Sequence, residues 1–349
     1  MKKNKKKIII LFIGIIILIA FCIVYKLYKE TEIKKLKTAL SLEYPIIFST
    51  DLLNEGKGTY RYYLADGKIE KIYDYRLFYP QYNDDREKIL GFVWEGEYNG
   101  LVELDLTDNS IVKIISLDEI NACIERVGGD TFEDEVEGDN EEDELDVYDK
   151  VDYIRTPRYY DDGYTFYFLG DIYFLHKDQE TWEVETIISS KNEIYNYYVD
   201  SNDKVLVEVS SSYGEEGIDK VSEYKTRKGK KRKEKVLFDN NTMDMGDNDG
   251  IMDVSKDGKL IAYYEKKHIC VYNRRTGEKK YVARPRLCDS YVLDLKFSHD
   301  NRYIFYTVGE VDFFTSGYKY TFYVVDTESK TKICLKKWKD YEEFFGFEW

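Results

Sequence analysis

The sequence predicts an all-β body, built from a repeated unit of short strands, behind a single apolar helix. Three observations carry that prediction. First, after residue 43 no long amphipathic helix pattern appears. Runs such as Tyr164-Thr165-Phe166-Tyr167-Phe168-Leu169, Val205-Leu206-Val207-Glu208-Val209 and Tyr320-Thr321-Phe322-Tyr323-Val324-Val325 are short, β-branched or aromatic, and bounded by turn residues. Second, two turn motifs recur along the chain. Third, residues 8 to 25 form an apolar run without a charge, the only such run in the sequence. A strand–helix alternation, and with it a doubly wound sheet, is excluded by the first observation.

The N-terminal element comes first. Lys2, Lys3, Lys5, Lys6 and Lys7 precede an uncharged run from Ile8 to Tyr25. As a helix, 18 residues span roughly 27 Å, about the hydrocarbon thickness of a bilayer. A cleaved signal peptide is one alternative, but Lys26-Leu27-Tyr28-Lys29 offers no small-residue cleavage site. A lipoprotein signal ending at Cys22 is another, and the bulky Phe21 just before it fits that processing poorly. The run therefore reads as an uncleaved signal anchor, with the lipid bilayer as its partner. Lysines also follow it (Lys26, Lys29, Lys34, Lys35, Lys37), but those before it are denser. The expected topology has residues 1–7 in the cytoplasm and everything after the run outside the cell membrane. Residues 26–43 read as a helical stalk, with Ile33, Leu36 and Leu40 at helical spacing and Pro45 ending the pattern.

Residues 44–349 then form one domain. An early turn appears as Ser255-Lys256-Asp257-Gly258-Lys259 and again, 43 residues on, as Ser298-His299-Asp300-Asn301-Arg302; each precedes an apolar strand. Weaker copies stand at Ser201-Asn202-Asp203 and Tyr160-Asp161-Asp162-Gly163. Asp-Gly or Asp-Asn supplies the positive φ of a tight hairpin, and the run beyond it reads as a strand buried on both faces. A late turn occurs six times: residues 64–68, 105–110, 175–179, 226–229, 273–277 and 325–329. It reads as the hairpin joining the last two strands of each unit. Six units average about 51 residues, long for a blade of about 40–45 residues, and visible insertions account for the excess. The expected architecture is a β-propeller of six blades.

The Ser-x-Asp-Gly-Lys turn followed by an apolar strand resembles the repeat of TolB-like and WD-repeat-like β-propellers. Residues 255–264 match it well, and 298–306 match with Asn301 in place of glycine. The resemblance extends over roughly 150–340 and implies architecture rather than chemistry. The separate α/β domain of TolB-like proteins is not visible. Phe345-Gly346-Phe347-Glu348-Trp349 alternates as a strand does, and residues 45–73 look like a unit lacking its innermost strand. Pairing the two ends in one blade closes the ring and leaves no exposed edge.

Composition limits function. A formal charge of −15 argues against nucleic acid as a partner. Twelve acids lie in residues 130–149 with no base among them, leaving −3 for the rest of the chain. That segment reads as a disordered insertion, with calcium or a basic partner as the functional alternatives. Eight bases lie between Lys225 and Lys235, at an expected hairpin tip. Anionic lipid, wall polymer or the acidic insertion could pair with them; a nuclear signal does not suit an exported domain. Asp244, Asp247 and Asp249 hint at a calcium loop whose frame fails at Met245 and Lys256. Cys123, Cys270, Cys288 and Cys334 lack zinc spacing; two bridges are open to them, while Cys270 and Cys334 suit buried strand thiols. His176, His268 and His299 adjoin turns and read as surface residues. Ser210-Ser211-Ser212 reads as a strand end.

No hydrolase, metalloprotease or phosphate-loop motif occurs, so no catalytic, cofactor or metal residue is assigned and no cofactor is expected. The leading expectation is a membrane-anchored, extracytoplasmic, non-enzymatic binding, sensing or scaffold module for an envelope ligand or protein. The alternatives are a lyase or glycosidase with a site in the central funnel, marked by convergent Asp, Glu, His or Arg, and a structural accessory of a membrane complex.

Overall fold

A computed structural model describes residues 2–349 except 53–55, 130–153, 190–193, 200–203, 211–217, 226–233, 240–251, 266, 286–289, 313–316 and 340–343. A 39-residue helix, α1 (Lys2–Leu40), leads the chain as one continuous element where the sequence suggested an anchor followed by a separate stalk. Its last turns dock on the body, with Leu36 and Leu40 buried and Ile33 and Ala39 packed beside them. Further out its large apolar side chains, from Ile13 to Tyr28, are exposed. Among the described residues no helix is long and apolar enough to cross a membrane. The side chains of residues 8–12, the start of the expected span, lie outside the described residues.

The body follows as antiparallel meanders. β1 (Ile46–Leu52), β2 (Gly56–Tyr62) and β3 (Ile69–Tyr73) open the first blade. The second holds β4 (Phe78–Tyr82), β5 (Lys88–Val93), β6 (Gly100–Asp105) and β7 (Ile111–Ser116), then a helix, α2 (Leu117–Arg126). The third holds β8 (Ile154–Tyr160), β9 (Gly163–Phe168), β10 (Asp171–Asp178) and β11 (Thr181–Ser189). The fourth holds β12 (Ile194–Val199), β13 (Lys204–Ser210), β14 (Ile218–Lys225) and β15 (Glu234–Asp239). The fifth holds β16 (Met252–Val254), β17 (Leu260–Glu265), β18 (His268–Asn273) and β19 (Lys279–Ala283). The sixth holds β20 (Ser290–Phe297), β21 (Tyr303–Asp312), β22 (Gly317–Asp326) and β23 (Lys332–Lys339). The last strand, β24 (Phe344–Glu348), returns to the first blade.

These strands form six four-stranded sheets, the first in the order β24-β1-β2-β3. The expected closure is therefore present: Phe347 stands opposite Phe48 and Glu348 opposite Ile47. Six apolar clusters fill the seams between successive blades, and the one between the sixth and the first holds the docked end of α1. Second strands such as β17 show why both faces must be apolar. Ile261 and Tyr263 enter the seam with the fourth blade, while Ala262 and Tyr264, one step along the pleat, enter the seam with the sixth.

The late turns stand between the third and fourth strands of each blade, as expected; the turn at 226–229 lies outside the described residues, between β14 and β15. Helix α2 was not expected. Ser116 and Glu119 form a reciprocal capping box at its start, and Leu117, Ile120, Cys123 and Ile124 bury one face. The signal is legible as Ser-x-x-Glu before an i, i+3, i+4 apolar pattern, hidden by its brevity and by the acidic run that follows.

Candidate functional site in the central channel

Each sheet presents its innermost strand to a central channel, and these strands pack against one another in succession: β24 on β4, β4 on β8, β8 on β12, β16 on β20, and β20 on β24. An innermost strand has one unpaired edge, whose N–H and C=O groups need partners. Side chains from neighbouring blades supply several. Asp253 Oδ2 accepts from the Phe297 N–H at 2.7 Å. Asp294 accepts from the backbone N–H of Phe347. Glu348 accepts from the Tyr82 N–H at 3.4 Å and from Gln81 Nε2 at 3.3 Å. Arg158 Nη1 donates to Gln81 Oε1 at 3.0 Å. Tyr197 Oη donates to the Thr156 carbonyl at 2.7 Å, and Tyr198 Oη to that of Lys256 at 3.0 Å. Every blade is thereby tied to the next.

The ties gather charge at the centre. Asp253, Asp294, Glu348 and Arg158 are partly exposed, and each belongs to the innermost strand of its sheet. Burial pushes Glu348 up to about 7, with Asp253 adding to the rise and Lys296, Arg86 and Arg158 opposing it. Burial likewise pushes Asp294 up to about 6, against the pull of Lys296. Lys296 is buried, which by itself lowers an ammonium pKa, yet Asp294, Asp253 and Glu348 together hold it above its ordinary value and charged. The sequence reading assigned no site residue, and this cluster is what it missed.

One end of the channel carries the early turns. Residues 83–88 prove to be a further copy of the turn at 255–260 and 298–303. Asn83 Oδ1 accepts from the Lys88 N–H at 3.0 Å, as Ser255 Oγ does from Leu260 at 2.8 Å and Ser298 Oγ from Tyr303 at 2.9 Å. The positive-φ position is Gly258 (66°), Asn301 (62°) and here Arg86 (58°). An arginine there is strained, which disguised the motif. Its side chain accounts for the choice. The Arg86 guanidinium lies 4.9 Å from the Tyr44 ring centroid and 5.0 Å from that of Tyr82, and donates to the Trp349 main-chain oxygen at 2.8 Å. It fastens both ends of the propeller. Arg86→Ala should therefore lower stability by about 1–3 kcal/mol, since it keeps the strain and loses the contacts. Arg86→Gly, which also relieves the strain, should cost less; urea unfolding of the two variants checks the order. Across the same end, Lys256 Nζ of the fifth blade's turn reaches Asp84 of the second at 3.2 Å.

The acidic insertion 130–149, the tip of the basic run at 226–233, Asp244, Asp247, Asp249, Ser211, Ser212 and Cys288 lie outside the described residues. Cys22, Cys123, Cys270 and Cys334 are free thiols. Cys270 is buried in β18 as expected, but Cys334 is exposed, because Ile333 takes the inward face of β23 and its neighbour turns out. Asp161 (49°), not Gly163, carries the positive φ of the third blade's turn. Gly163 is required instead for close approach, since a Cβ would lie 2.2 Å from the Leu175 oxygen. His299 is exposed as expected, whereas His176 and His268 are half-buried, against Phe174 and Tyr281, because each belongs to a strand rather than its turn. Among the described residues no acid, histidine or cysteine group could hold a metal ion.

Comparison with known proteins returns no matching family model and no matching curated protein. Solved structures do match. TolB from Acinetobacter baumannii is similar over 88% of this chain and 66% of its own, a little under two thirds, at 12% identity and a TM-score of 0.53. A chain of a nidogen/laminin complex is similar over 87% of this chain and 97% of its own, at 9% identity and a TM-score of 0.52. At such identities the likeness is one of fold, and the fold it shares with them is the β-propeller.

Proposed function

We propose that this chain is a membrane-anchored, extracytoplasmic β-propeller that serves as a non-enzymatic binding or scaffold module for an envelope ligand or protein. The observation that carries it is the uncovered apolar length of α1. Beyond the docked Leu36 and Leu40, residues from Ile13 to Tyr28 expose large apolar side chains all round the helix rather than on one face. Such a surface needs lipid or protein to cover it. The uncharged run from Ile8 to Tyr25 and the five lysines before it favour lipid, with the N-terminus in the cytoplasm. The tied ring of blades supplies a rigid platform of the kind binding propellers use.

The test is fractionation of cells making the full chain or one starting at residue 29. The full chain should stay in the membrane after a high-salt wash, and protease added outside wall-stripped cells should cut it. The shortened chain should be released. Retention of both, or full protection of the propeller while a known external domain is cut, refutes the reading.

A specific observation favours a second reading, an enzyme of lyase or glycosidase type. Asp253, Asp294, Glu348 and Arg158 converge in the channel, and two of the carboxyls have pKa values suited to a general acid. Their engagement by backbone N–H groups of neighbouring blades places this reading second. Turnover of an envelope polysaccharide that is lost in both Asp294→Asn and Glu348→Gln would establish it.

A further inference from the structure

We propose that the central channel is an anion site in which Lys296 and Arg158 hold a carboxylate or phosphate group of a ligand. This deepens the binding reading by naming the chemistry of the ligand; it rests on the propeller acting as a binding module, not on the anchor. The geometry separates the charges at the centre into two kinds. The acids are occupied: Asp253, Asp294 and Glu348 each accept a backbone N–H from the next blade. The cations hold donors in reserve. Lys296 is only 9% exposed, and among the described residues the acids around it act on its ammonium through charge, with no hydrogen bond to it. Its Nζ is not one of the fully buried atoms that lack a partner, so it opens onto the channel, where an oxygen of a ligand can accept from it. Arg158 spends Nη1 on Gln81 and lies 5.7 and 5.8 Å from the ring centroids of Tyr197 and Tyr198, and its Nη2 makes no hydrogen bond among the described residues.

The two cations stand on innermost strands, β20 and β8, and each lies within the field of the other. The groups that set the charge on Lys296 of the sixth blade are Asp294 on its own strand, Asp253 of the fifth blade, Glu348 of the first, and Arg158 of the third, diametrically opposite. An ammonium that feels four blades at once lies near the axis. A planar carboxylate or a tetrahedral phosphate could accept there from both Lys296 and Arg158.

The acids around the site make its affinity depend on pH. Glu348 is faced by Lys296, Asp253, Arg86, Arg158 and Tyr82, and Asp294 by Lys296 and Asp253. Their pKa values of about 7 and about 6 mean that acidification from pH 8 to 5.5 removes up to two negative charges and no positive one. Anions should bind tighter at the lower pH, by about tenfold or more, as loss of a like charge near a partly buried site implies.

The experiment is thermal unfolding of the full chain in detergent micelles with 10 mM inorganic phosphate or succinate, against chloride of equal ionic strength, at pH 5.5 and 8. Phosphate or succinate should raise Tm by at least about 2 °C over chloride, more at pH 5.5. Response to only one of the two identifies the group the ligand bears. Lys296→Met should abolish the difference; Lys330→Met, in an exposed turn, should leave it. Should Lys296→Met not fold, Arg158→Gln must weaken the response and Lys296→Arg must retain it. No anion-specific rise at either pH, or a full response without Lys296 or Arg158, overturns the proposal. Release of the chain from membranes would refute the anchor and leave this result standing.

Discussion

A chain ending at residue 344 should no longer unfold as one cooperative unit. Strand β24 supplies the innermost strand of the first blade, so its loss opens the ring between the first blade and its neighbours on both sides. Phe347 sits among aromatic rings from two blades, at 6.0 Å from Phe48, 5.3 Å from Phe305 and 5.2 Å from Phe322. Trp349 is buried and donates Nε1–H to the Tyr44 carbonyl at 3.1 Å. Burial of each of these two side chains contributes roughly 1.5–3 kcal/mol. The lost ladder and the bared edge of β1 add to that, against a total stability of about 5–15 kcal/mol. Phe347→Ala alone should cost about 3–5 kcal/mol, the usual range for truncating a buried phenylalanine. Calorimetry of the truncation and urea unfolding of Phe347→Ala check both. A truncated chain with the parent's melting temperature would mean that the ring does not depend on its closing strand.

The second large effect is one of pH. Glu348 titrates near 7 in the folded chain and near 4.5 when unfolded. Between those values the folded chain holds a proton that the unfolded chain has released, so stability falls as pH rises through the window. The contribution is full below about 4.5 and gone above about 7. A shift of two units or a little more corresponds to at most about 3 kcal/mol, less where channel water screens the charge. Glu348→Gln removes the charge and keeps the shape. The variant should therefore be more stable than the parent at pH 8, by about 1–3 kcal/mol, and the gap should close near pH 5. Asp294, raised to about 6, should give Asp294→Asn a change of the same sign. Parallel stability curves for parent and Glu348→Gln from pH 5 to 8 would contradict this reading of the channel.

These two predictions divide what was legible in the sequence from what was not. The hairpins are local. Asp66-Gly67, Asn273 to Gly277 and Asp326 to Ser329 each fix a turn within a few residues, and the strands beside them alternate or run apolar according to how many faces they bury. Those patterns are carried by the backbone needs of neighbouring residues, so the all-β repeat, the late turns and the terminal strand could be read directly. The turn at 83–88 escaped only because Arg86 stands where glycine is usual, and α2 because its pattern lasts ten residues.

The channel could not be read this way. Gln81, Arg158, Asp253, Asp294, Lys296 and Glu348 come from five blades, and in sequence each looks like an unremarkable polar residue in or beside a strand. Only closure of the ring brings them together. Only that crowding, through desolvation and the mutual field of fixed charges, gives two carboxyls their raised pKa values and leaves Lys296 charged at the centre. The sequence determined the blades and the order of the strands. The tertiary structure decided which side chains face one another across the axis, because that depends on distances closed over nearly 270 residues of chain rather than on any local preference.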